Sequence, residues 1–181
     1  LSLHDALPIL LLKGHADQVR LIPGGGQEQG RRGGTEAAAA IAGFGAASVA
    51  FPGRFYGADV SELIRIAEDG MRSVAPDLVV FGEKAERIGS VSNFAVPGLK
   101  SSVAMMGLDL LGLSVSSGSA CSSGKVGPSH VLAAMGIAPE LAECGLRLSL
   151  GWSSTSDDVE AYLRGFGEVV GRYHSRRGQA A

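Results

Sequence analysis

The sequence contains little cysteine, little net charge and no long apolar run. Only Cys121 and Cys144 occur among its 181 residues, and they form no C-x-x-C pair, which argues against a disulfide framework and favours a reducing cytoplasm. The net charge is −2 and no long basic run occurs, which argues against nucleic acid or an anionic membrane surface as the main partner. No run approaches the roughly 18 apolar residues that span a bilayer. The sequence therefore predicts a cytoplasmic, globular protein.

Three common catalytic motifs are also missing. The stretch from Gly118 to Gly124 encloses five residues where a P-loop has four, and Val126 occupies the position of the Ser or Thr that holds magnesium. Gln29 stands where the dinucleotide fingerprint requires its last glycine. No G-x-S-x-G nucleophile elbow occurs. The chemistry must therefore be sought in less general patterns.

Glycine, by contrast, is abundant and clustered. The chain has 27 glycines, grouped around 24–34, 43–45 and 118–127. Clustered glycine indicates turns and close backbone approaches, which are common near phosphate and cofactor sites. Loop-rich linkage explains the same composition, so both interpretations stay open at this point.

The hydrophobic pattern predicts a mixture of helices and strands. Thr35 occupies an N-cap position before an alanine-rich helix, and Thr155 with Asp158 forms a cap of the Ser/Thr-x-x-acidic type before the last helix. A polar, frayed tail is expected from Arg176 onward. The predicted strands are 9–13, 78–82, 90–96, 113–116 and 146–150. The predicted helices are 36–49, 56–75, 101–111, 128–135 and a final one from about 156 to 175. Phe51-Pro52-Gly53 is expected to end the chain's first helical region.

The glycine- and serine-rich stretch 116–125 carries the most suggestive side chain, the thiol of Cys121. A structural cysteine usually has bulky apolar neighbours, whereas Cys121 has small polar ones and Lys125 nearby, which favours the thiolate. An incidental loop cysteine is the alternative. Cys144 directly precedes a predicted strand and is expected to be structural. A dyad of Cys121 with His130 is conceivable, although a surface or capping role is expected for His130.

Two further positions are candidates for binding anions. Arg31 and Arg32 precede Gly33-Gly34-Thr35 and a predicted helix start, where backbone N–H groups and a hydroxyl suit a phosphate; an ordinary capped helix is the alternative. Arg147 alternates with Leu146 and Leu148 in a predicted strand, so it can bind a carboxylate bidentately or pair with a surface acid.

Three segments together resemble cysteine desulfurases of the class V aminotransferase family. The run GGGQEQGRRGGTE at 24–36 resembles the segment after that family's cofactor lysine, and 116–125 with PSHVL at 128–132 resembles the active-site loop of its nitrogen-fixation and iron-sulfur-assembly branch. RLSLG at 147–151 resembles the family's Arg-x-Ser-x-Gly strand. Their order and spacing agree, and the resemblance covers about residues 11–173.

The resemblance implies an α/β chain with an α+β small domain, the C-terminal part of a fold-type-I pyridoxal 5'-phosphate transferase. It implies an enzyme that takes sulfur from L-cysteine and releases L-alanine. Cys121 would be the nucleophile and persulfide carrier, Thr35 would contact the cofactor phosphate across a homodimer interface, and Arg147 would hold the substrate carboxylate. An iron-sulfur scaffold or another sulfur acceptor would be the partner, and Cys121 could also be a transient ligand of an iron-sulfur cluster on that scaffold.

The chain departs from the family's pattern at the cofactor lysine. That lysine follows a histidine, and no His-Lys pair occurs here; Lys13 lies in a segment that resembles the following strand. The expected organisation is therefore 1–55 from the large cofactor domain, with 1–9 extraneous, then 56–175 as the small domain and 176–181 as the tail. The chain alone is expected to be inactive, and a non-catalytic persulfide carrier or scaffold-binding domain is the alternative.

Overall fold

The computed structural model describes residues 14, 20, 22–55, 58–117 and 129–178, and for 51–55, 58, 59 and 177 the backbone alone. The chain divides into two compact units, Leu1–Tyr56 and Gly57–Ala181. This division lies one residue after the border expected at 55 from the sequence. The predicted strand at 9–13 lies outside the described residues. Assignment of the first unit to a larger cofactor domain stays a prediction.

The described part of unit 1 is a folded loop followed by one helix. A short turn, α1 (Gln27–Gly30), places Glu28 and Gln29 in the left-handed region with φ of 54° and 60°. The alanine-rich helix α2 (Ala38–Phe55) begins later than predicted, so Thr35 lies three residues before it and is not its N-cap. The helix also continues past Pro52, where a stop was predicted, because one proline removes one N–H bond and a strong helix can continue without it.

Unit 2 confirms the predicted mixture of helices and strands. The short helix at Pro139–Ala142 was not predicted, because four residues carry no periodicity. The last helix continues past Arg176 to Gly178, so the frayed tail was predicted to begin too early in the sequence. The strands predicted at 78–82 and 113–116 are only two residues long in the structure. The elements are α3 (Ala58–Val74), β1 (Val79–Val80), β2 (Val91–Ala95), α4 (Ser101–Asp109), β3 (Ser116–Ser117), α5 (His130–Ala134), α6 (Pro139–Ala142), β4 (Gly145–Ser149) and α7 (Ser156–Gly178).

The four strands form one antiparallel sheet in the order β1-β2-β4-β3. Its inner face packs on α3, α4 and α7, because these helices present apolar side chains at helical spacing. Phe94 of β2 meets Phe166 of α7 edge to face, with ring centroids 6.0 Å apart. The side chains that are fully buried in this core include Met71, Phe94, Leu108, Leu146 and Phe166.

The last helix begins with the cap that the sequence predicted. The Asp158 carboxylate accepts hydrogen bonds from the backbone N–H of Thr155 at 2.8 Å and from its hydroxyl at 2.9 Å. The Thr155 hydroxyl in turn accepts from the backbone N–H of Asp158 at 3.3 Å. These reciprocal bonds satisfy the first donors of α7 and lower the pKa of Asp158, which favours its charged form.

One carboxylate is buried beside the core. Glu68 of α3 is 5 % exposed, and it accepts hydrogen bonds from Arg87 at 2.8 and 3.2 Å and from the Ser92 hydroxyl at 2.6 Å. Burial by itself would raise the pKa of Glu68, but the bonds from Arg87 and Ser92 outweigh it, so the pKa is lowered. This cluster ties α3, the segment 83–90 and β2 together.

Candidate functional site

The strand β4 presents two chemically different faces. Leu146 and Leu148 are 1 % and 5 % exposed and enter the core, whereas Gly145, Arg147 and Ser149 lie on the opposite, outer face. The alternation of the sequence predicted this arrangement. Arg147 is half-buried on the outer face, and none of its guanidinium nitrogens is a fully buried atom without a partner.

Arg147 lies between two polar residues of neighbouring strands. The register pairs Asn93 of β2 with Arg147, and it pairs Ser116 of β3 with Arg147 from the other side. Residues directly opposite in an antiparallel pair share a face, so the three form a polar row across the outer face. Asn93 and Ser116 are also half-buried. The sequence did not identify Asn93, because strand pairing cannot be read from alternation alone.

Among the residues that the structure describes, one end of the outer face is covered by a helix. A Cβ on Gly145 would lie 3.2 Å from Leu132 of α5 and 3.7 Å from Phe81, so helix α5 packs closely there. Phe81, Ala95, Leu132 and Cys144 form a small apolar cluster at this end, with Ile137 and Leu141 against it. Burial then decreases along β4, where Arg147 is half-buried and Ser149 is exposed. The site is therefore a polar strip beside an apolar wall.

The side chains of Arg147 and Asn93 make no hydrogen bond or ion pair with other residues in the described part of the chain. Five other arginines of unit 2, Arg65, Arg72, Arg87, Arg164 and Arg172, each pair with a carboxylate. Since a guanidinium fork matches a carboxylate or phosphate bidentately, Arg147 is suited to an external anion.

The predicted nucleophile, Cys121, lies outside the described residues, as does Lys125. The described chain stops at Ser117, which pairs with Leu146 next to Arg147 in the sheet, and resumes at Ser129. Ser129 caps α5 by accepting a hydrogen bond from the backbone N–H of Leu132 at 3.3 Å. The segment that contains Cys121 is thus anchored at both ends to elements of the outer face.

His130 and Cys144 take the structural positions expected of them. His130 is exposed on the first turn of α5, whose cap is Ser129 and not the histidine. Cys144 is 2 % exposed, and its thiol lies 3.4 Å from the Glu140 carbonyl oxygen, to which it donates. A buried thiol with apolar neighbours is poorly reactive.

In unit 1 the glycine loop is closed by backbone and arginine contacts. The Gly33 N–H donates to the Ile22 carbonyl at 2.8 Å, and the Arg32 guanidinium donates to the carbonyl of Gly34 at 3.1 Å. A Cβ on Gly33 would lie 2.5 Å from the Gly24 carbonyl oxygen, so only glycine fits there. Thr35 follows directly and is exposed, which leaves its hydroxyl accessible within this unit.

A cleft elsewhere in unit 2 is not a better site. It has a volume of about 280 Å³ and lies between α3 and the segment 83–91. Its charged groups are already paired, Glu68 with Arg87, Arg65 with Glu62 and Asp69, and Glu83 with Arg72. Across the described ranges, no cluster of three or more His, Cys, Asp or Glu side chains could hold a metal ion. Nor is any helix in those ranges long and apolar enough to cross a membrane.

Comparison with known proteins gives consistent results. The model of the aminotransferase class-V family matches residues 3–162. The chain is 35% identical over 153 residues to the cysteine desulfurase NifS of Azotobacter vinelandii, covering 83% of this chain and 38% of that protein. It is 36% identical over 169 residues to the IscS-like cysteine desulfurase of Mycobacterium tuberculosis, covering 90% of this chain and 42% of that protein.

The fold agrees with the same group of proteins. The crystal structure of a NifS-like protein from Rickettsia africae has a TM-score of 0.71 and 30% identity, covering 83% of this chain and 39% of that one. The chain thus spans about two fifths of the length of the relatives that it matches. Since the family model covers most of the sequence, this chain belongs to the class V aminotransferase family.

Proposed function

We propose that this chain is the sulfur-accepting and carboxylate-binding part of a cysteine desulfurase. The observation that carries the proposal is the half-buried residue Arg147, whose guanidinium lacks a partner in the described part of the chain and which lies next to the strand that leads to Cys121. The relatives named cysteine desulfurase support the choice of L-cysteine as substrate.

Arg147 binds the substrate carboxylate. Two parallel N–H bonds from one guanidinium fix both the position and the plane of a carboxylate, which a point charge such as lysine does not. Strand β4 holds the Arg147 backbone in place, because Arg147 pairs with Asn93 of β2 on one side and with Ser116 of β3 on the other. Substrate orientation is thus determined by the sheet.

Cys121 accepts the sulfur. Its thiolate attacks the substrate sulfur, an S–S bond forms, and the substrate Cβ–S bond breaks with its electron pair going to carbon, which takes up a proton. The products are L-alanine and a Cys121 persulfide, so atoms and electrons balance without an external oxidant. Four residues of chain span at most about 14 Å, so connectivity alone keeps the Cys121 backbone within that reach of Ser117.

Pyridoxal phosphate is the cofactor of the proposed whole enzyme, where it supplies the electron sink for breaking the Cβ–S bond. The exposed Thr35 hydroxyl, next to the closed glycine loop, fits a contact to its phosphate across a homodimer interface. These 181 residues contain no His-Lys pair to anchor the cofactor. Unit 1 is accordingly assigned to the large cofactor domain and 56–175 to the small domain, and the chain alone is inactive.

Persulfide delivery completes the proposed function. The acceptor is an iron-sulfur scaffold or another sulfur-acceptor protein in the cytoplasm, and Cys121 serves as a transient ligand of the cluster on that scaffold. A thiol on a glycine- and serine-rich segment suits this task, because short side chains permit movement between substrate and acceptor at low steric cost.

The test compares the two cysteines after treatment of the full chain with a small-molecule persulfide. We expect mass spectrometry to find one added sulfur atom on Cys121, because its neighbours are small and polar and favour the thiolate. The labelling should disappear in Cys121→Ser and persist in Cys144→Ser, the matched control at a buried thiol.

A persulfide on Cys144 but not on Cys121 would contradict the assignment of Cys121 as the sulfur acceptor.

A second experiment supplies L-cysteine and pyridoxal phosphate and measures L-alanine. We expect no alanine from the chain alone, and catalytic amounts of alanine would overturn the proposal that its cofactor anchor lies elsewhere.

A further inference from the structure

We infer that Asn93 is a second residue of the carboxylate-binding site, where its side-chain amide donates a hydrogen bond to a substrate carboxylate oxygen bound by Arg147. This inference rests on the proposed function, and it adds a residue of β2 to a site so far assigned to β4. Its basis is the placement of Asn93 directly opposite Arg147 on the outer face.

The first support is the register. Side chains directly opposite in an antiparallel pair have Cβ atoms about 4.5–5.5 Å apart, so one small ligand group can touch both. Asn93 is held at this place by pairing on both sides of β2, and its own carbonyl accepts from the Phe81 N–H at 2.8 Å. The backbone position is therefore fixed without any contribution from the carboxamide.

The second support is that Asn93 has no structural reason to be asparagine. Asparagine is disfavoured within strands, and the other outer-face positions of β2 are Val91 and Ala95. Its half-buried carboxamide has no hydrogen-bond partner in the described part of the chain. Its amide atoms are not among the fully buried polar atoms without a partner in the described residues, so they are accessible to a ligand from solvent.

The third support is chemical. A carboxylate has about four lone-pair sites, and the fork of Arg147 occupies two of them. The Asn93 amide supplies an N–H donor for a third. Because the amide is neutral, it adds a directed bond without a second positive charge, so the site selects a single carboxylate of defined orientation.

The test exploits a feature of the sequence: Asn93 is the only asparagine among the 181 residues. Selective ¹⁵N-asparagine labelling of the full chain therefore gives one side-chain amide pair in an NMR spectrum. L-alanine, the proposed product, is the probe, and L-alaninamide, which lacks the carboxylate, is the control ligand. We expect a saturable shift of the Asn93 amide with L-alanine and none with L-alaninamide.

Variants then separate the two residues, with the Arg147 side-chain N–H as reporter. Asn93→Ala should weaken L-alanine binding about five- to tenfold. Asn93→Asp should abolish it, because a carboxylate opposite Arg147 would pair with the guanidinium in place of the ligand. Ser149→Ala, on the same face but exposed, should bind as the original chain does. Backbone spectra of β2 confirm that each variant is folded.

The outcomes distinguish this inference from the proposed function. If Arg147→Gln abolishes binding while Asn93→Ala binds normally and the Asn93 signal does not move, Asn93 is not part of the site and the proposed role of Arg147 stands. If Arg147→Gln binds normally, or L-alaninamide binds as well as L-alanine, the carboxylate site itself is wrong. Absence of any saturable shift in the original chain would overturn both.

Discussion

At the scale of single residues, the most consequential charge outside the proposed site is the Glu68 carboxylate. It is 5 % exposed, and Arg87 and Ser92 supply its hydrogen bonds. Removal of one partner from a buried ion pair leaves an uncompensated charge, which costs more than the intact pair contributes.

We therefore expect Arg87→Ala to lower the free energy of unfolding by about 3 kcal/mol at pH 7. Urea denaturation followed by circular dichroism measures this change. The double variant Glu68→Gln/Arg87→Ala is the matched control and should recover much of the loss, because no charge is then left buried. Equal losses in both variants would contradict the buried-charge argument.

The same pair gives a pH dependence of defined sign. The pKa of Glu68 is lowered in the folded state, so unfolding takes up a proton and the stabilisation is complete above the unfolded-state pKa of about 4.3. It is lost as pH falls through the lower folded-state pKa. The stability difference between the original chain and Glu68→Gln should therefore shrink below about pH 4.3.

The sequence predicted some of these residues and not others, for a physical reason. Thr155 and Asp158 lie three positions apart, so their reciprocal cap is local and readable. Arg147 was found from alternation within its own strand. Asn93 and the Glu68–Arg87 pair depend on contacts between distant segments, and no local pattern encodes these contacts.

At the scale of elements, helix α3 is fitted closely to the segment before β2. A Cβ on Gly89 would lie 1.8 Å from the Ser61 hydroxyl oxygen and 3.2 Å from the Ser61 Cα. A short side chain and a backbone atom cannot move away as the end of a long side chain can. Glycine at 89 is thus required by the approach of α3.

Gly89→Ala should lower the free energy of unfolding by about 1–3 kcal/mol through overpacking. In a Ser61→Gly background the same substitution should cost clearly less, which a double-mutant cycle in urea detects. Gly171→Ala in α7 is the control, since a Cβ there meets nothing within 4 Å, and it should not destabilise the chain. Additive effects at 61 and 89 would show that the two residues do not meet.

The boundaries of helices and strands show what hydrophobic periodicity alone can predict. The helices that became α3, α4 and α7 were predicted because their apolar faces repeat over several turns. The strands β1 and β3 are only two residues long and were predicted to be longer. The length of a strand depends on its pairing with the strand beside it, which periodicity does not show. Helix α2 passed the proline that was expected to end it.

At the scale of the whole molecule, the two hydrophobic clusters both consist of residues beyond position 57. Unit 2 thus contains its own core, with a four-stranded sheet and three packed helices. A unit with its own core is expected to fold by itself.

A shortened chain of residues 57–181 should therefore unfold cooperatively at the same urea midpoint as the full chain. Trp152 is the only tryptophan, so its fluorescence reports on this unit in both chains. Far-UV circular dichroism provides the second probe, and coincident transitions indicate two-state unfolding. A lower midpoint or a non-cooperative transition would show that unit 2 depends on the first 56 residues.

The sheet also holds β4, which contains Arg147, more firmly than β3, which precedes the segment with Cys121. Strand β4 lies between two neighbours and pairs with β2 along its whole length, whereas β3 is an edge strand of the described sheet and pairs through two residues. Amide hydrogens of a central strand exchange only when the domain unfolds, but those of a short edge strand exchange through small local openings. The proposed sulfur carrier is thus attached where the sheet releases its chain most readily, and Arg147, the proposed substrate-binding residue, would keep its pairing with Asn93 of β2 after such a release.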